Sequence, residues 1–229
     1  MVEFWSHTVA QIDWQVSQFQ LFPLVLLLVW CWLIWPAQDV AALIDNRQLQ
    51  VRLLLSLTSI TALWLMNANI LQGLHVHFLG LVTLMLMFGW RLSSIVVLLP
   101  TAFFSVFVLK QPLEFGAYGL IAMDAVILGC FIFYSIIFHR LPHHLFVFIF
   151  CAGFLNAAVS VVLHFSFWSV WLWSTTHYDW SMLVDNYLLL IPLIGFPEAL
   201  LNGMALTLLV VYRPEWLYDY SDRHYLYQK

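Results

Sequence analysis

Two histidines, His75 and His77, stand one residue apart at the head of the apolar stretch "LQGLHVHFLGLVTLMLMFGWR", Leu71 to Arg91. Neutral imidazole is the commonest protein ligand of transition metals, so metal coordination is the chemistry that this pair points to. Helix geometry restricts the idea. With 3.6 residues per turn, positions i and i+2 point about 200° apart. Both rings face one ion only where the backbone is extended or turning, and Gly73 just upstream permits such a turn. The other candidates are ionisable groups inside apolar runs: His164, Asp124 and Glu198. Such groups are costly within a bilayer and face an interior or a cavity. Glu198 and Asn202 are four residues apart and share a helix face. Plainer readings stay open beside these. A buried His serves as a satisfied neutral ring, and each carboxyl serves as a structural partner. Glu198, next to Pro197, is placed to cap N–H groups freed by an irregular helix. His139, His143 and His144 flank Arg140 in a short loop and read as interface residues, and His177 in "WSTTHYDWS" reads as a solvated loop residue.

The elements that must position these groups belong to a membrane. Of 229 residues, 63% are hydrophobic and only 9% are charged, against about 25% charged in soluble domains. The mean hydropathy of +0.90 agrees. Twelve Trp, nine Tyr and nineteen Phe supply aromatic belts for two interfaces. Seven stretches approach the roughly 17–25 apolar residues of a spanning helix: Phe19–Trp35, Leu53–Leu71, Leu74–Trp90, Leu92–Leu109, Phe115–Phe138, Leu145–Trp173 and Met182–Tyr212. The first and third are short, and the last two are long enough to tilt or break. Pro192 and Pro197 predict a kink in the seventh. The fold class expected is an all-α polytopic bundle of about seven transmembrane helices, a single membrane domain. Residues 1–18 form an outer N-terminal segment, 19–212 the bundle and 213–229 a cytoplasmic tail.

Basic residues set the direction. With the N-terminus outside, Arg47, Arg52, Arg91, Arg140, Arg213, Arg223 and Lys229 all fall inside, and Lys110 alone falls outside. In this N-out, C-in arrangement His7, His75, His77, His164 and His177 gather towards the outer face. His139, His143, His144 and His224 lie on the cytoplasmic side.

Several classes fall away. The net charge of −4 argues against nucleic-acid partners. Cys31, Cys130 and Cys151 have no paired spacing, which disfavours disulfides and a zinc knuckle. No basic n-region marks a cleavable signal peptide. There is no H-E-x-x-H, G-x-S-x-G or convincing nucleophile–base pair, so an enzyme is not expected.

Three segments together resemble the membrane-embedded substrate-specificity component of the cobalt/nickel class of energy-coupling-factor transporters. In "HFLGLVTLMLMFGW", His77 and Gly80 take the family's His and Gly positions. In "FGAYGLIAMDAVILG", Asp124 stands where the family has Asn. In "GFPEALLNGMALTLLVVYRPEWL", Pro197, Gly203, Arg213, Pro214 and Glu215 stand in register. The match covers more than half the chain. The resemblance implies a metal site made by the N-terminal amine, a second-position His and the His of the third span. This sequence opens "MVEFWSH", so Val2 supplies no imidazole and His7 is the substitute from the same segment. The family's His and Glu near the seventh span are replaced by Gly195 and Asn202, and Glu198 lies one turn from Asn202.

The expectation is a multi-pass subunit of the cell (inner) membrane that binds a divalent transition metal ion from outside. His with carboxylate suits nickel, cobalt or zinc. The candidate ligands are His77, His75, His7, Asp124, His164 and Glu198. The metal is cargo, and no tightly bound cofactor is expected. The chain has no G-x-x-x-x-G-K-[ST] run, so a P-loop ATPase pair and a coupling transmembrane subunit are the implied partners. Two other readings are a redox protein with histidine-ligated haem or copper, His77 and His164 being the axial pair, and a non-transporting accessory subunit with the same fold.

Overall fold

In a computed structural model the described residues are 18–71, 73–142, 144–175, 178–218 and 220. His7, His143, His177 and His224 lie outside them, as do the N-terminal segment through residue 17 and the tail from 221 onwards. The chain runs α1 (Gln18–Leu33), α2 (Ala37–Asp45), α3 (Arg47–Leu65), a hairpin of β1 (Ala68–Leu71) and β2 (Leu74–Val76), α4 (Leu81–Phe88) and α5 (Trp90–Phe107). Three long rods follow: α6 (Pro112–Arg140), α7 (Leu145–Thr175) and α8 (Trp180–Tyr212).

The all-α membrane bundle is what the composition predicts. Five helices, α3 and α5 to α8, are long and apolar enough to cross a membrane. A sixth crossing is counted if α1 and α2, bent by 75° at their junction, act as one. The break there follows from Pro36, which precedes α2 and offers no N–H. Asn46 then caps α3, its Oδ1 accepting from the N–H groups of Gln48 (2.9 Å) and Leu49 (3.2 Å). In α8 the irregularity falls ahead of Pro192: a helix over Trp180–Asn186 gives way to a 3₁₀ turn at Leu188–Leu190 and resumes at Ile191.

The third expected span, Leu74–Trp90, is not one helix. Its first residues are extended and pair antiparallel with β1, Ala68 opposite Val76 and Asn69 opposite His75. Only the eight residues of α4 are helical, followed at once by Gly89 and α5. Two glycines explain the change. Gly73 (φ +79°) turns the hairpin, and Gly80 (φ +66°) begins α4 in a conformation that side chains with a Cβ rarely adopt. The continuous apolar run has a different meaning from the one its length suggests. Every residue of α4 except Thr83 is buried, and a helix apolar all round belongs in the interior. It packs against α5, α6, α7 and α8.

A hairpin and loop inside a bundle expose backbone groups that lipid cannot satisfy, so protein must do so. Each neighbour contributes. Trp64 Nε1 of α3 donates to the Leu79 carbonyl (3.1 Å), and Trp168 Nε1 of α7 donates to that of Gly73 (2.9 Å). From α8, Glu198 Oε2 accepts the Leu79 N–H (2.9 Å) and Oε1 the Gly80 N–H (2.7 Å). Asn202, one turn further on, donates to Glu198 Oε1 (2.8 Å). Its Oδ1 accepts from both the N–H (3.1 Å) and the hydroxyl (2.8 Å) of Thr83. The Glu198–Asn202 pair thus caps the orphan N–H groups at the start of α4.

Glu198→Ala strands two buried N–H donors and should cost about 3 kcal/mol or more. It should sharply lower the thermal midpoint of the detergent-solubilised protein, with Glu198→Gln intermediate. An unchanged midpoint in Glu198→Ala contradicts the cap.

Candidate metal-binding site

The extended backbone of the hairpin meets the condition that helix geometry denies. Alternate residues of a strand point to one side, and His75 and His77 both pack on the ring of Phe104 from α5. The centroids lie 5.8 Å and 4.8 Å from it. His164 reaches the same place from α7, its ring 5.8 Å from that of His77. Two neighbouring imidazoles bound to one ion at about 2 Å per nitrogen bring their centroids to about 4.5 to 5.5 Å, so a shared ion draws this pair together by a few tenths of an ångström or more. Aromatic rings close the surroundings. Trp64 lies 5.1 Å from His77, and Tyr118 stacks on Phe104 at 5.6 Å. Trp168 meets Tyr118 edge-on at 4.8 Å.

The hydrogen bonds fix which nitrogen each ring presents. His77 Nδ1 is 3.0 Å from the Phe78 carbonyl and His164 Nδ1 is 2.9 Å from the Ala122 carbonyl. A carbonyl only accepts, so both protons sit on Nδ1 and Nε2 carries the lone pair. His75 Nδ1 is 3.2 Å from Asn67 Oδ1. The Asn67 amide is oriented by its own donation to the carbonyls of Trp64 (3.1 Å) and Leu65 (3.2 Å). Oδ1 is therefore the atom facing the ring, and His75 holds the same tautomer. Metal-ligating histidines characteristically anchor the second ring nitrogen on a carbonyl or carboxylate in this way. The Nε2 lone pair of His77 accepts from the Tyr118 hydroxyl at 2.8 Å.

The carboxyl candidates take other places. Both oxygens of Glu198 are engaged by the start of α4. Asp124, fully buried, ends the π-helical segment Tyr118–Asp124 of α6 beside Ser94 of α5. Among the described residues, no three His, Cys, Asp or Glu side chains converge as a metal-binding group. The assembled core of the site is the His77–His164 pair, with His75 across the Phe104 ring. Tyr118, whose hydroxyl meets His77, is the residue of this cluster that the sequence reading passed over. Its one signal is a polar-tipped aromatic inside the apolar run of α6, six residues before Asp124.

The chain matches the family model described as the cobalt uptake substrate-specific transmembrane region, CbiM, over residues 20–216. It belongs to the CbiM family. The match extends from α1 past the end of α8 and takes in every element that builds the histidine cluster. CbiM-family membership makes the chain a membrane component of cobalt uptake, a transporter part rather than a member of an enzyme family, and a multi-pass protein of the cell membrane. It also implies partners of the transporter kind. No curated protein and no solved structure matches the chain.

His75 lies on the hairpin, outside the long crossing helices, and burial pushes its imidazole below the ordinary value, about 6.5. As pH falls the unfolded chain therefore takes up this proton first. The contribution to stability is complete above about pH 6.5 and is lost progressively below it. A His75→Gln variant should lose less stability than the wild type between about pH 7.5 and pH 5.5. Equal losses contradict a neutral, buried His75.

Proposed function

We propose that this protein is the substrate-binding membrane subunit of an energy-coupling-factor-type transporter that takes up a divalent transition metal ion, cobalt or nickel. One observation carries the reading: the rings of His75 and His77 pack on Phe104 and that of His164 lies 5.8 Å from His77, each with Nδ1 anchored on an oxygen, which makes Nε2 the nitrogen that can coordinate. His77 and His164 are the paired ligands, and His75 joins them on a small movement of the hairpin. The remaining coordination positions fall to solvent or to the N-terminal segment that carries His7. Imidazole nitrogen favours cobalt, nickel and zinc over magnesium and calcium, which prefer oxygen. Asp124 stands apart from the pair, beside Ser94, and Glu198 acts on it through the start of α4.

The charge distribution of the loops puts this end of the bundle on the outer side, where an ion arrives. Energy then comes from partner ATPases through a coupling transmembrane subunit. The haem alternative is disfavoured by packing. Phe104 and Tyr118 stack on each other, Phe104 lies tilted against His77 and Tyr118 meets His164 edge-on, so a macrocycle between His77 and His164 requires both to leave.

The purified protein should bind about one Co(II) or Ni(II) per chain. His77→Ala and His164→Ala should each weaken binding at least about tenfold, the loss of one ligand nitrogen. Absence of binding to the wild type, or equal binding to the double variant, overturns the reading.

A further inference from the structure

The Nε2 lone pair of His77 is the atom that coordination requires, and the Tyr118 hydroxyl donates to it at 2.8 Å. The pair is buried, with His77 4% and Tyr118 1% exposed. A single lone pair cannot serve an O–H donor and a metal ion together. We propose that Tyr118 competes with the metal for His77 and so sets the affinity and selectivity of the site. This rests on the metal-binding reading above and adds a residue with a defined role to it.

The placement of Tyr118 fits that role. It opens the π-helical segment Tyr118–Asp124, and single π-helical turns recur at functional sites. The same segment supplies the Ala122 carbonyl that fixes His164, so one irregular stretch of α6 governs both imidazoles of the pair. The Tyr118 ring is held by Phe104, by Trp168 and, edge-on at 5.9 Å, by His164. It is therefore pre-positioned, and only the hydroxyl has to change partner. Metal entry then requires the Tyr118 hydroxyl to leave the His77 Nε2 lone pair, with no proton gained or lost. An ion that gains little from imidazole nitrogen cannot repay the exchange, which rejects magnesium and calcium.

The experiment titrates the full chain in detergent with Co(II) alone, comparing wild type and Tyr118→Phe. Two quantities are read, the Kd and the thermal midpoint of the protein without added metal. Removing the competing hydroxyl should tighten Co(II) binding about fivefold, the worth of one ordinary hydrogen bond. The same change strips a buried imidazole of its donor and should lower the metal-free midpoint. A purely structural tyrosine moves both quantities the same way or leaves the affinity alone. Unchanged or weaker Co(II) binding in Tyr118→Phe, with binding intact in the wild type, overturns the role of Tyr118 and leaves the metal-binding reading standing. No Co(II) binding by the wild type overturns both. A measurement on the wild type guards against a misfolded variant: Co(II) should change the hydrogen-bonding signature of a buried tyrosine in ultraviolet resonance Raman spectra, and spectra unchanged at saturation overturn the competition.

Discussion

The bond between Glu198 and the turn at Leu79 and Gly80 is the constraint on which the rest of the structure depends. A hairpin, a loop and an eight-residue helix occupy an apolar run packed among the crossing helices, and irregular backbone survives inside such a bundle only when its N–H and C=O groups have protein partners. The Glu198 oxygens take two of the N–H groups, and Asn202 orients that carboxyl while holding Thr83. Trp64 and Trp168 take two of the carbonyls. Helices α3 and α8 therefore meet at the loop, and α7 holds the turn of the hairpin. The identity of Glu198 as an acceptor with two oxygens matters more here than its charge.

From that clamp the histidine geometry follows. With Gly80 fixed at the head of α4, the chain before it leaves as an extended strand, and the extended strand puts His75 and His77 on one side. The Phe104 ring is their common floor, and α7 brings His164 to the same depth as His77. Each ring is oriented by an oxygen of the scaffold rather than by another titratable group. Packing and scaffold oxygens thus orient the imidazole nitrogens at little cost in charge burial, in a region where unpaired charges are expensive. The aromatic wall has a second consequence. The imidazoles are buried, so the hydrogen bond between Tyr118 and His77 lies in surroundings of low dielectric, where it is strong.

Much of this was legible in the chain. Composition and the long apolar runs of α5 to α8 gave the membrane bundle, and the i, i+4 spacing of Glu198 and Asn202 gave their shared face. The capping reading of Glu198 was also present, though the N–H groups that it caps belong to α4 rather than to its own helix. That could not be read because the partners are more than a hundred residues apart in sequence. The run Leu74–Trp90 misled for a physical reason: length and hydropathy do not separate a lipid-facing span from a short helix buried on all sides. The glycines at 73, 80 and 89 were the available clue. Tyr118 escaped notice because an aromatic residue in a membrane chain is usually explained by packing or by the interface, and its hydroxyl acquires meaning only once His77 is placed opposite it.

The central claim is that nitrogen ligands from these histidines hold a transition metal ion. The most direct measurement is the X-ray absorption spectrum of the protein loaded with one equivalent of Co(II) or Ni(II), recorded for the wild type and for the His77→Ala/His164→Ala double variant. The account predicts outer-shell scattering from at least two imidazoles in the wild type, with metal–nitrogen distances of about 2.0–2.1 Å, and loss of that scattering in the variant. A first shell of oxygen alone, or a spectrum unchanged by the double substitution, would contradict it.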